Sequence, residues 1–170
     1  AFALFTFPGV IMHEIAHRFM CDILQIPVYE INYFSGGETQ AGHVCHHKTN
    51  NVNHDLLIGF APLIINSFFC MLFTLPYGST LMITGAGIVN YQSMFIYWVG
   101  ISMGVHAFPS NHDLHDGWIH LRKNNGSLVI RSLCSIMQLL NQLSFFWIDV
   151  AYAMIISMII PAIIFGSNFK

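Results

Sequence analysis

Apolar positions along this chain fall into four long blocks separated by two polar connections. The first block, Ala1 to Leu24, is interrupted by Pro8-Gly9 and then by His13, Glu14, His17 and Arg18, so it is long enough to cross a bilayer yet carries ionisable groups midway. The second, Leu56 to Tyr77, lies between Asp55 and the turn-like Pro76-Tyr77-Gly78-Ser79. A third extends from about Leu81 to Phe108 and contains Gly85, Gly87, Gly100 and Gly104, small residues that permit close helix contact. The last, Leu128 to Phe165, is too long for one span. Its first part places Arg131, Gln138, Asn141 and Gln142 among apolar residues, as an interfacial or groove-lining helix does, and Phe145 to Phe165 reads as a fourth span. The pattern predicts a mainly α, integral membrane protein with about four transmembrane or membrane-embedded helices in a single domain over residues 1–170.

The two connections differ in character. Val28 to Phe34 alternates and is β-branched and aromatic, Ser35-Gly36-Gly37 turns, and Ala41 to His47 returns as a partner strand, which predicts a short β-hairpin between the first and second spans. The other runs from Pro109 to Lys123 and ends in Asn124-Asn125-Gly126. With two spans between them, both emerge on one side. That side carries Lys48, Arg122 and Lys123, whereas the short connection near Gly78 has no basic residue, so the positive-inside tendency makes it cytoplasmic and the protein one of the cell membrane. The chain starts inside an apolar stretch at Ala1, without Met or a basic segment before it, and reads as truncated at its N-terminus.

Composition agrees. The 170 residues are 55% hydrophobic and only 8% charged, against roughly 25% charged in an ordinary soluble domain, and the mean hydropathy is +0.59; too few charges remain to cover a water-facing surface. Six basic and eight acidic residues give a net charge of -2, which leaves no basic footprint for nucleic acid. Cys21, Cys45, Cys70 and Cys134 show no CxxC spacing and imply no disulfide framework. What demands explanation is ten His against six Lys plus Arg in so apolar a chain.

His13-Glu14-Ile15-Ala16-His17 is an H-E-x-x-H motif. Four-residue spacing stacks two imidazoles on one helical face, able to meet one Zn²⁺, and Glu14 beside them can take a proton from water activated there. An acidic or basic residue at mid-membrane costs about 2.5–3.5 kcal/mol to insert, so a compensating partner is expected, and a metal is the simplest one. Catalytic zinc usually takes three protein ligands. Asp113 and Asp116, directly after the third span, are the candidates for the third, with His112, His115 and His106 as lesser alternatives.

Phe7-Pro8-Gly9 before the motif, Gly59-Phe60-Ala61-Pro62 leading to Asn66-Ser67, and Ala107-Phe108-Pro109-Ser110 with Asp113 three residues on resemble small prokaryotic membrane zinc metalloproteases related to site-2 proteases. The similarity covers Phe7 to about Trp118. It implies an intramembrane endopeptidase acting on membrane-anchored protein substrates, with His13, His17 and Asp113 as zinc ligands and Glu14 as general base. Leu114-His115-Asp116-Gly117 is an interrupted version of the Leu-Asp-Gly pattern of site-2 proteases proper and nominates Asp116 as the alternative ligand; the Phe-Pro-Ser frame favours Asp113. The resemblance also gives Asn66 a catalytic meaning, as donor to the developing oxyanion or grip on substrate backbone, beside the plainer role of an interhelical hydrogen bond. Tyr29 to Phe34 would offer a strand edge to an extended substrate. Asp149 reads as an interfacial residue rather than a catalytic one.

Two rival readings stand beside the protease. His43-Val44-Cys45-His46-His47, with His13…His17 and His112…His115, imitates the His boxes of di-iron membrane lipid desaturases and hydroxylases. Against it, Glu14 has the position of a hydrolytic base, the Phe-Pro frames fit the protease and the chain is short for an oxygenase; His43, His46, His47 and His54 are then exposed loop residues. A zincin-like membrane adaptor without hydrolysis is the third reading.

Overall fold

Pro8 lies in the first turn of the helix that carries the motif, where its missing N–H is one of the donors a helix start leaves unpaired anyway. The computed structural model describes residues 2–35, 41–49, 51–84, 90–110, 112–115, 118–119, 121, 128–143 and 147–165. In chain order the elements are α1 (Phe2–Phe5), α2 (Phe7–Ile23), β1 (Val28–Asn32), β2 (His43–His46), α3 (Val52–Thr84), α4 (Tyr91–Val105), α5 (Leu128–Leu143) and α6 (Trp147–Phe165). The fold is mainly helical with one small sheet.

Helix α2 ends in a Schellman turn. Gln25 N–H donates to Asp22 O at 3.2 Å and Ile26 N–H to Cys21 O at 2.8 Å, with Gln25 in the left-handed region at φ 56°. A residue with a Cβ there costs about 1 kcal/mol, offset by pairing the last carbonyls and sending the chain straight into β1. Strands β1 and β2 pair antiparallel as expected, with Glu30 opposite Cys45, Ile31 opposite Val44, Asn32 opposite His43, and an irregularity between Val28 and Glu30. The expected turn glycines Gly36 and Gly37 lie outside the described residues.

Helices α3 and α4 form the centre. Each packs on α2 and α6, and they pack on one another. Gly104 of α4 sits between α3 and α6, where an added Cβ would lie 2.7 Å from Cys70 Sγ and 2.8 Å from Ala153 Cβ, and Gly100 sits against Thr74; these two serve the close contact expected of them, while Gly85 and Gly87 lie outside the described residues. Between α2 and α4 the link is polar: Gly9 N–H donates to Ser102 Oγ, and Ser102 Oγ donates to Thr6 O, both at 2.8 Å.

The turn expected at Pro76-Tyr77-Gly78-Ser79 is absent; α3 runs through it, with Pro62 and Pro76 inside the helix. Gly78 is a packing residue, since a Cβ there would meet Pro161 Cγ of α6 at 2.8 Å. Ser79 and Thr80 donate their hydroxyls back to Pro76 O. Residues that resemble turn chemistry are used for a helix crossing.

The expected four spans also need correction. Among the described residues only two helical stretches, Val52–Thr80 and Trp147–Ile164, are long and apolar enough to cross a membrane. Helices α2 and α4, with 17 and 15 residues, reach about 26 and 22 Å at 1.5 Å per residue, short of the roughly 30 Å hydrocarbon core. The two long helices carry exposed apolar stripes at four-residue spacing: Ile64, Phe68 and Leu72 on α3, and Ile155, Ile159 and Ile163 on α6. Helix α5 is amphipathic, as its mixed sequence predicts, and buries Cys134 with Leu56 and Leu121 at the start of α3.

Candidate metal centre

His13 and His17, one turn apart on α2, bring their ring centroids to 4.7 Å. Each ring is fixed from behind by a backbone carbonyl on another element: His13 Nδ1 bonds His106 O at 2.8 Å, just past α4, and His17 Nδ1 bonds Ile58 O at 2.9 Å on α3. An Nδ1–H donated to a carbonyl leaves the neutral imidazole with its lone pair on Nε2. Both Nε2 atoms point into one space, 3.1 Å apart.

Asp113 completes the triangle, its Oδ2 3.3 Å from His13 Nε2 and its Oδ1 3.4 Å from His17 Nε2. The carboxylate is held locally by a reciprocal pair, Ser110 N–H donating to Asp113 Oδ2 at 2.6 Å and Asp113 N–H to Ser110 Oγ at 3.2 Å. Gly59 of α3 admits the Asp113 backbone, because a Cβ there would come within 2.7 Å of Asp113 O. Buried Leu114, 1% exposed, anchors the residue that follows.

These separations fit a metal ion. Ligands at about 2.05 Å from a tetrahedral ion are about 3.3 Å apart, close to the three distances found. The donor set of two neutral imidazoles and one carboxylate suits a borderline ion such as Zn²⁺. His13, His17 and Asp113 are thus a group that can hold a metal ion. Without one, three lone-pair-bearing atoms converge, and the alternative is protonated imidazoles donating to Asp113. Burial by itself would raise the Asp113 carboxyl, but hydrogen bonds and charge from His13 and His17 outweigh it and hold the group well below the usual carboxylate range.

Glu14 follows His13 on the same helix, is buried at 7% exposure, and faces the hairpin: a Cβ on Gly42 would lie 2.7 Å from Glu14 Cγ. A cleft of about 540 Å³ opens over these groups, lined among others by His13, Glu14, His17, Asp113, His43 and Asp149. The hairpin and the Asp113 connection therefore meet at one end of the helices.

The remaining candidates fall elsewhere. Asn66 is fully buried and does not line the cleft; its amide donates to His106 O at 2.9 Å and Gly9 O at 3.4 Å, bracing the same carbonyl that fixes His13. Asp116 lies outside the described residues. His115 is exposed; His112, also exposed, and His106 do line the cleft, but the His106 ring pairs with Thr6 Oγ1 at 2.7 Å. His43 and His46, expected as exposed loop residues, line the cleft, as does Asp149, expected at an interface. The sequence carried a signal for the first two, since the histidine-rich strand follows the motif helix by one hairpin. It carried none for Ile58 and marked His106 only as a lesser ligand candidate; both act through backbone carbonyls.

No family model, curated protein or solved structure matches this chain.

Proposed function

We propose that this protein is a zinc-dependent intramembrane endopeptidase of the site-2-protease type, hydrolysing peptide bonds of membrane-anchored protein substrates. The observation that carries the reading is the His13, His17 and Asp113 triangle, with His17 buried and the other two partly so, and 3.1–3.4 Å edges, beside Glu14 in an open cleft. His13, His17 and Asp113 would hold the ion, and Zn²⁺ bound there would supply Lewis acidity toward a carbonyl and a water, whose pKa it would bring toward ~7.

The chain's own groups do the rest. The His106 and Ile58 carbonyls keep the His13 and His17 lone pairs aimed inward. Glu14 accepts the proton of the attacking water on its carboxylate and passes it to the leaving amine. The hairpin lines the cleft with β2, not with Tyr29 to Phe34, and an extended substrate strand beside it would expose the scissile carbonyl that a helix hides. Membrane placement rests on the two long helices and their exposed apolar stripes, with the cleft toward the cytoplasmic side by the Lys48, Arg122 and Lys123 bias.

The test is metal analysis of the purified protein in detergent, combined with cleavage of membrane-anchored peptides by wild type and Glu14→Gln. Zinc bound by both and cleavage only by wild type supports the protease. Zinc binding with no cleavage by either favours the adaptor, and iron with dioxygen-dependent lipid oxidation favours the oxygenase.

A further inference from the structure

We propose that the hairpin holds a second metal site, formed by Glu30, His43 and Cys45, for a borderline divalent ion such as Zn²⁺. Antiparallel register places Glu30 opposite Cys45 and Asn32 opposite His43, and two-residue alternation puts all of these on one face. One ligand atom from each of Glu30, His43 and Cys45 lies within 4.8 Å of the others. His43 Nε2 is already 3.5 Å from Glu30 Oε1.

Carboxylate, imidazole and thiolate together select zinc-like ions over Mg²⁺ and Ca²⁺, which take oxygen ligands. A tetrahedral ion with bonds of 2.0–2.3 Å needs ligand atoms about 3.3–3.7 Å apart; the His43–Glu30 pair already meets this, and no pair has to close by more than about 1.5 Å. Glu30, with a side chain 71% exposed, can make that movement by rotation about its own bonds. Cys45 is the one exposed cysteine; Cys21, Cys70 and Cys134 are buried. The three ligands leave a fourth position for water.

The site shares no ligand with the His13 centre, and the inference does not depend on the proposed protease activity. Its place gives it a consequence all the same. His43 and Cys45 line the cleft, and adjoining Gly42 rests on Glu14. An ion bound here staples β1 to β2 and stiffens that wall of the cleft.

Cobalt titration tests the assignment, because Co²⁺ bound to a thiolate shows an intense near-ultraviolet charge-transfer band that imidazole and carboxylate ligands lack. The full chain, stripped by chelator and reduced without added thiol, takes up two equivalents of Co²⁺, one of them accompanied by the thiolate band. Cys45→Ser abolishes the band and one equivalent while retaining the other, which also reports an intact fold. Glu30→Gln and His43→Ala each weaken the thiolate-linked equivalent by 10-fold or more. The double variant His13→Ala with His17→Ala shows the opposite pattern, keeping the band and losing the other equivalent, so failure at one centre is read separately from failure at the other. A single equivalent without a thiolate band, or two equivalents retained in Cys45→Ser, overturns the proposal.

Discussion

The motif helix with the Asp113 segment and the hairpin each gather three side chains that could hold a metal ion, but they are built on opposite terms. His13 and His17 are locked by carbonyls of two other elements, and Asp113 is held by Ser110 and by the space that Gly59 leaves. Glu30, His43 and Cys45 rest on one hairpin, where the His43 ring faces the exposed Glu30 carboxylate at 3.5 Å. Preorganisation separates the two: at the helix centre the tertiary fold has already ordered the ligands, whereas at the hairpin the ion must do part of the ordering. A site of the first kind suits chemistry, and one of the second kind suits reversible occupancy.

The largest expected effect is Glu14→Gln, which leaves metal at the helix centre and lowers peptide cleavage by about 10²–10⁴, the usual worth of a general base; equal cleavage by the variant would remove Glu14 from the chemistry. His17→Ala and Asp113→Ala each lower affinity at that centre by more than about 100-fold, beyond the 10–100-fold typical of supporting residues, as read by competition with a chelator. Asp116→Ala retains the affinity. If the result is reversed, Asp116 is the ligand.

Supporting groups come next. Gly59→Ala displaces the Asp113 backbone, which a Cβ would approach to 2.7 Å, and lowers metal affinity by about 10–100-fold; Asn66→Leu frees the His106 carbonyl and costs about 10-fold by the same assay. The equivalent substitutions have no counterpart on the hairpin, where Cys45→Ser leaves affinity at the helix centre unchanged.

Acidity sharpens the contrast further. Protons compete with metal for the imidazoles, so metal affinity at the helix centre falls as pH falls, seen by equilibrium dialysis. In the metal-free protein hydrogen bonds and charge from His13 and His17 hold Asp113 below its ordinary range; that contribution is lost as pH falls through the lowered value, visible as a drop in thermal stability.

Legibility followed the range of the interaction. The hairpin, the amphipathic α5 and the glycine contacts of α4 were readable because each rests on local periodicity. Pro76-Tyr77-Gly78-Ser79 misled because proline and glycine serve both turns and close helix crossings, and only Pro161 of a helix about 80 residues later tells which. Span number misled because apolar composition shows no helix ends: the third block yields a helix of 15 residues, Tyr91–Val105.

For the site, the sequence by itself determined that His13, Glu14 and His17 share one helical turn, because helical spacing is a property of the local backbone. It narrowed the third ligand to a short segment. Only the tertiary structure decided that Asp113 meets both imidazoles, that backbone carbonyls of Ile58 and His106 set their lone pairs, and that Asn66 braces a carbonyl instead of facing the cleft. Carbonyls are common to every residue, so composition cannot announce which of them will do this work. Their roles arise when helices that are far apart in sequence pack together and leave one buried space for three ligands.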